Sequence, residues 1–297
     1  MSETVGVIGL GNMGGAMAAN LVAAGFAVVG CDPSEPARKA AEAAGVETLS
    51  APVDIAARTG IVILSLPSML ALEAVTAGPR GLAAAGPGNT VVIETSTLPL
   101  EAKRRAQDAL VAGGRILLDA PLSGTGTQAR SADLVVFASG DEAAFEACLP
   151  ALRAVSRRQV HVGAFGAGSQ LKFIANHLVT IHNVAAGEAF ALAIKAGLDP
   201  QMVFDVLHDS AGTSRMFQVR GPQMVRGRYD EATATVHIHL KDLDIIGRYA
   251  AEVGMPLPLF AAAAQYYQMA LAQGHGEEDT ASVCAVSERL GGVVRPR

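Results

Sequence analysis

The feature that most constrains this chain is Gly9-Leu10-Gly11-Asn12-Met13-Gly14-Gly15, set directly after the apolar run Val5-Gly6-Val7-Ile8. Such a run reads as a strand buried on both faces, and the segment 13–24 that follows reads as a helix. Gly9 permits the tight turn between them. Gly11 lets an anionic group come close to the backbone, and Gly14 lets helix and strand pack tightly, with the first peptide N–H groups of the helix facing the anion. Glycine spacing alone is weak evidence. The strand before it and the helix after it are the context that a pyrophosphate requires.

Further apolar, β-branched runs at 27–32, 61–66, 91–95, 116–120, 134–139 and 159–163 alternate with helix-like stretches such as 36–44 and 99–112. That alternation predicts βαβ units and a mostly parallel sheet covered on both faces. After 163 the strand signal stops. Helices are expected at 168–196, 201–207, 239–253 and 258–273, punctuated by glycine and proline at 163–168, Gly221-Pro222 and 254–258. The fold class is therefore α/β: an N-terminal Rossmann-type, doubly wound sheet over 1–163, followed by an all-helical domain over 164–297 for substrate and subunit contacts.

Composition narrows the function. Half of the 297 residues are hydrophobic and 17% are charged, which excludes a disordered chain. Lys and Arg number 23 against 28 Asp and Glu, a net charge of −5, so there is no basic surplus for nucleic acid. Apolar stretches such as 17–31 are broken by Asn20 and Gly25, so no membrane span is expected. The first residues lack a charged segment followed by an apolar core, which predicts a cytoplasmic protein. Cys31, Cys148 and Cys284 are too far apart for a disulfide framework or a CxxC site. His237 and His239 alternate without a third ligand at metal spacing, and read as strand-like or surface histidines; no metal is expected.

Four other places carry chemistry. Asp32 ends the second strand, where a carboxylate accepts from ribose hydroxyls and repels a 2′-phosphate; this favours NAD, while Arg38 and Lys39 leave NADP possible. Asp119-Ala120-Pro121-Leu122-Ser123-Gly124-Thr125-Gly126 ends a later strand and offers N–H groups and hydroxyls to a carboxylate. Lys172 and Asn176 share one helix face in an apolar stretch. Spacing alone favours a snorkelling lysine; a nucleotide-binding domain just upstream shifts the weight toward a substrate cleft. Lys241-Asp242-Leu243-Asp244 lies near a helix start, where Asp also serves the dipole.

In this order, the glycine turn, Ser65-Leu66-Pro67-Ser68, Thr95-Ser96-Thr97 with Pro99, Asp119 to Gly124, the Gly166/Gly168…Lys172…Asn176 helix, Lys241-Asp242-Leu243 and the turn ending at Asp279 resemble the β-hydroxyacid dehydrogenase family, in its short, 3-hydroxyisobutyrate dehydrogenase-like form. The resemblance implies NAD bound by Gly9, Leu10, Gly11, Asn12, Met13, Gly14 and Asp32, with Leu66, Pro67, Thr97 and Lys241 also on the cofactor. It implies that Ser123, Gly124 and Thr125 hold a substrate carboxylate. Lys172 would then be the general acid/base, with Asn176 orienting a small anionic hydroxy acid, in a homodimer or homotetramer. Two departures fall at the expected substrate: Thr125 where many relatives have Gly, and His177 where many have Asn. Arg215 reads as a surface arginine or as a contact for a second anionic group. An imine reductase shares the architecture but usually lacks a lysine at 172, and a non-catalytic nucleotide-binding module would be expected to lose Lys172 or Asn176.

Overall fold

The computed structural model describes residues 4–295. Six strands, β1 (Thr4–Ile8), β2 (Ala27–Cys31), β3 (Glu47–Thr48), β4 (Ile61–Leu64), β5 (Val91–Glu94) and β6 (Ile116–Asp119), form one parallel sheet in the order β3-β2-β1-β4-β5-β6. Strand order reverses between β1 and β4, so ligands are expected beyond the carboxyl ends of these strands. The register aligns those ends: Cys31, Ile8, Leu64, Glu94 and Asp119 stand side by side across the sheet.

β7 (Leu122–Ser123), β8 (Val135–Ala138) and β9 (Arg158–His161) make a separate three-stranded sheet, β7 antiparallel to β8. The sequence reading placed 134–139 and 159–163 in the one parallel sheet. The chain runs on straight from Asp119 to Ser123 and turns back only between β7 and β8, so β8 is antiparallel to β7, and an antiparallel bridge between Asp119 and Ser139 links the two sheets.

The helices of this part are α1 (Asn12–Ala23), α2 (Glu35–Ala43), α3 (Pro52–Ala56), α4 (Met69–Ala77), α5 (Leu100–Val111), α6 (Gly126–Arg130) and α7 (Glu142–Val155). Alternate strand residues point to opposite faces, which splits the core in two. Val5, Val7, Ile61 and Ile63 pack with Met17 and Leu21 of α1 and with Phe145, Cys148 and Leu152 of α7. Ile8, Val62, Leu64 and Val92 pack on the other side with Leu72 of α4 and with Ala102, Ala106 and Leu110 of α5. Each fully buried Leu or Ile contributes roughly 1.5–3 kcal/mol, so both faces are needed to hold the strand ends in line.

By compactness the chain divides between Lys172 and Phe173, inside the long helix α8 (Ala167–Lys195). The change from strands to helices comes earlier, after β9. The second unit continues with α9 (Pro200–Leu207), α10 (Arg215–Arg226), α11 (Val236–Glu252), α12 (Pro258–Ala272) and α13 (Val283–Leu290). Caps define the starts of α9, α10 and α11: Asp199 accepts from Gln201 N, Ser214 from Phe217 N and Thr235 from Ile238 N.

Gly221-Pro222 does not punctuate; it lies inside α10, where the missing Cβ lets the Phe204 ring approach to 2.6 Å from the place a Cβ would occupy. His237 and His239 are neither strand-like nor both on the surface, because the Thr235 cap starts α11 just before them and His239 is buried. In length and composition α8 could cross a membrane, with mean hydropathy 1.2, but half of its most apolar window is buried within the protein.

Candidate active site

Gly9 takes φ +88°, and a Cβ there would lie 2.1 Å from the Ser65 carbonyl oxygen. At Gly14 it would lie 1.8 Å from the Gly9 carbonyl oxygen. Two of the three glycines therefore close the turn on itself and against the end of β4. Gly11 differs: nothing lies within 4 Å of its would-be Cβ, and both Gly11 and Asn12 are exposed. The open side of the turn thus lies at the first peptide N–H groups of α1, which have no acceptor within the helix. This arrangement fits a dinucleotide pyrophosphate.

Asp32, half-buried after β2, accepts from Leu10 N and Ser34 N, both at 2.7 Å. Its carboxylate therefore also holds the glycine turn in place. Arg38 is closer to this strand end than its sequence spacing suggested: Nη1 donates to the Asp32 and Pro33 carbonyl oxygens at 2.7 and 2.9 Å. Lys39 instead pairs with Glu35 at the surface.

Beyond β4, Leu66 N donates to Ser96 Oγ at 2.8 Å, which joins the Leu66-Pro67 loop to the Ser96-Thr97 loop beyond β5. Pro67 is exposed and Thr97 half-buried. Ser123 ends β7, and Gly124 follows with φ +142°, its would-be Cβ 2.5 Å from Leu134 Cδ2. Thr125 stands at the N-cap of α6, its N–H donating to Gln128 Oε1 at 3.0 Å. Gly126 packs on Asn12, and Arg130 Nη1 donates to Asn12 Oδ1 at 3.1 Å. The structure thus brings the serine turn against the glycine turn.

On α8, Lys172 is 9% exposed and Asn176 8%. The snorkelling alternative for Lys172 does not hold. Ser169, Lys172, Asn176, Thr180 and Asn183, all buried, recur at three- and four-residue steps and form one polar stripe on a largely apolar helix. Asn176 Nδ2 donates to Asp242 Oδ2 at 2.8 Å, and Lys241 Nζ lies 3.6 Å from Asp242 Oδ1. Thr180 Oγ1 donates to the Asn176 carbonyl and lies 3.0 Å from His239 Nε2. Asp242 thus fixes the Asn176 amide, a contact the sequence reading missed; its signal was an acidic residue beside Lys241 on the buried face of α11.

His177 stacks on Phe260 with ring centres 5.5 Å apart, and its buried Nδ1 has no hydrogen-bond partner. Burial, with a smaller contribution from His182, holds its pKa below the ordinary value. Arg215 is exposed at the start of α10, its nearest polar partner being Gln218 at 3.5 Å. Among the described residues, no group of three or more His, Cys, Asp or Glu is placed to hold a metal ion.

A parallel sheet in this order, with an open glycine turn at its reversal point, defines a dinucleotide-binding α/β protein. Residues 4–163 match the family model described as the NAD binding domain of 6-phosphogluconate dehydrogenase, and 166–287 that described as NAD-binding of NADP-dependent 3-hydroxyisobutyrate dehydrogenase. The chain is 38% identical to L-threonate dehydrogenase of Cupriavidus necator, covering 96% of both chains. It is 30% identical to 2-(hydroxymethyl)glutarate dehydrogenase of Eubacterium barkeri, covering 98% of this chain and 97% of that one. The structure of Mycobacterium tuberculosis 3-hydroxyisobutyrate dehydrogenase with L-serine superposes with a TM-score of 0.87 at 30% identity, covering 96% and 99% of the two chains. The chain belongs to the β-hydroxyacid dehydrogenase family, of the 3-hydroxyisobutyrate dehydrogenase type, and is an NAD(P)-dependent oxidoreductase of hydroxy acids. Imine reductases share the fold at lower similarity, as for the Pseudomonas enzyme at 18% identity and a TM-score of 0.60.

Proposed function

We propose that this enzyme interconverts a small polyhydroxy acid of the L-threonate type and its carbonyl form, with NAD preferred and Lys172 as general acid/base. The observation that carries the reading is the burial of Lys172, on a helix whose first turn is bonded to the carboxyl end of β6 through Ser169 and Asp119. A lysine amine sheltered from bulk water can take a proton from a reacting hydroxyl and return it. The bound nicotinamide supplies the hydride chemistry.

The remaining steps belong to the chain. Gly9, Leu10, Gly11, Asn12, Met13 and Gly14 receive the pyrophosphate, with Asp32 on the adenosine ribose. Leu66, Pro67, Thr97 and Lys241 complete the cofactor side. Ser123 and Gly124 offer donors to the substrate carboxylate, and Thr125 keeps the turn in shape through Gln128. Lys172 Nζ takes the hydroxyl proton in oxidation and returns it in reduction. Asn176 holds the substrate hydroxyl with its amide, kept from rotating by Asp242. Residues 1–163 are the cofactor domain, and 164–297 the domain for substrate and for assembly into a homodimer or homotetramer. The cell compartment proposed is the cytoplasm. L-Threonate leads the substrates because several curated relatives, including the one at 38% identity, carry that name; 3-hydroxyisobutyrate and tartronate semialdehyde with glycerate follow.

Initial rates with NAD and NADP against these acids test the proposal, with Lys172→Ala alongside. Loss of the amine is expected to lower kcat by about 10²–10⁴-fold while cofactor affinity stays put. Full activity in Lys172→Ala would overturn the assignment.

A further inference from the structure

At the carboxyl ends of β5 and β6 lies a buried group of charges of which only Asp119 has entered the reading above. Lys103 of α5, Glu94 and Asp119 are each 0% exposed. Lys103 Nζ lies 2.6 Å from Glu94 Oε2 and 2.7 Å from Asp119 Oδ1. Burying one ammonium with two carboxylates is costly unless every remaining lone pair is answered. The answers come from two directions. Ser96 N donates to Glu94 Oε1 at 2.9 Å, and Ser96 Oγ in turn accepts from Leu66 N at 2.8 Å. On the other side, Ser169 N donates to Asp119 Oδ2 at 2.8 Å and Ser169 Oγ to Asp119 Oδ1 at 2.7 Å. Ser139 Oγ also reaches Asp119 and accepts from Gly166 N and Gly168 N. The second carboxylate thus sits at the positive end of α8, whose dipole and first-turn donors offset the charge Lys103 leaves over.

We infer that Lys103 is a positioning residue for hydride transfer. Through Glu94 and Ser96 it fixes the Leu66 loop, and through Asp119 and Ser169 it fixes the first turn of α8, three residues before Lys172. One ammonium therefore sets the spacing between the loop placed on the cofactor side and the turn that carries the proposed acid/base. Burial disfavours the charged amine, but Glu94 and Asp119 more than offset this and hold its pKa above the ordinary lysine value. Lys103 stays charged through the working pH range and acts by geometry, not by titration. The inference rests on the reading of Lys172 given above.

The test compares wild type, Lys103→Met, Ser169→Ala and Lys172→Ala by amide hydrogen exchange and by steady-state kinetics with protiated and C-deuterated L-threonate. In Lys103→Met, exchange at Leu66 and over 169–172 is expected to quicken together by about tenfold or more. In Ser169→Ala, which keeps the peptide donor and leaves no orphaned charge, kcat is expected to fall by about 10- to 100-fold with both KM values within twofold. The deuterium effect on kcat should rise in that variant, because a misplaced acid/base makes the chemical step limiting; a smaller folded fraction would leave that ratio unmoved. Faster exchange at one end only, or an unchanged deuterium effect in Ser169→Ala, would overturn the inference. Should Lys103→Met not fold, Ser169→Ala decides. A wild type that turns over none of the acids defeats the proposed function, and the exchange comparison still decides the coupling.

Discussion

Asp119 and Asp279 are both fully buried carboxylates, both paired with a cation and both bonded to the peptide N–H groups of a helix start, yet they stand in different parts of the chain. Asp119, in the first unit, shares Lys103 with Glu94. Asp279, in the second, has Arg220 to itself at 2.9 Å, and accepts besides from Thr233 N and Oγ1, Ala234 N and Ala281 N. A guanidinium presents several donors in a fixed fork to one carboxylate, whereas an ammonium is a compact charge that two carboxylates can share. The helical unit therefore closes a loop around a self-sufficient pair. The sheet unit joins three separate elements through one charge, and it does so beneath the strand ends where the cofactor is expected.

The largest effect that would sharpen this contrast is expected from Lys103→Met. Two carboxylates lose their only shared cation, and urea unfolding should show a loss of about 3–5 kcal/mol. Arg220→Met orphans one carboxylate that keeps five other donors, Thr280 Oγ1 among them, so its cost in the same assay should fall near the lower end, about 3 kcal/mol. Equal costs would break the comparison.

The next test is pH. Burial pushes Asp279 upward, but Arg220 and the backbone donors outweigh it and hold its carboxyl below the ordinary value of 3.8. Its contribution to stability is complete above that value and is lost as pH falls through the lowered one. Lys103 is raised above 10.5, so its contribution is complete below that value and is lost as pH rises through the raised one. Acid should therefore quicken amide exchange first around Thr233 and Ala281, and alkali first around Ser96 and Ser169. The reverse order would refute both assignments. Smallest is the expected cost of Thr125→Ala, about 1 kcal/mol by thermal melting, as for an ordinary helix cap. A large loss of substrate affinity without that destabilisation would instead put Thr125 on the substrate.

Much of the sheet was legible because β1 and β4 are buried on both faces and read as unbroken apolar runs. The two-residue strands β3 and β7 leave no such pattern, and the separate sheet around β8 depends on a chain reversal between β7 and β8 that has no periodic signature. Helix α10 was obscured by Gly221-Pro222, because a glycine needed for the approach of Phe204 looks in sequence like one needed for a turn. At the site, the glycine turn, Asp32 and the Lys172–Asn176 face were legible as local spacings. Lys103 was not, although it shares the buried face of α5 with Leu100, Ala106 and Leu110. A lysine on a helix is ordinarily solvated, and the carboxylates that hold this one inside come from two strands. The contact of Asp242 with Asn176 was hidden for the same reason, because it joins two helices far apart in sequence.

The polar stripe of α8 has a further consequence. A helix keeps count: each residue advances the face by about 100° and about 1.5 Å. Ser169, Lys172, Asn176, Thr180 and Asn183 are therefore locked to one another by number, not by composition. Many side chains on the opposite face could be exchanged at little cost. Deleting or inserting one residue between Ser169 and Asn183 would turn every later member of the stripe away from its partners at once. This stretch of the gene should vary in spelling while holding its length, and natural insertions should collect in the loops before α8 and after it.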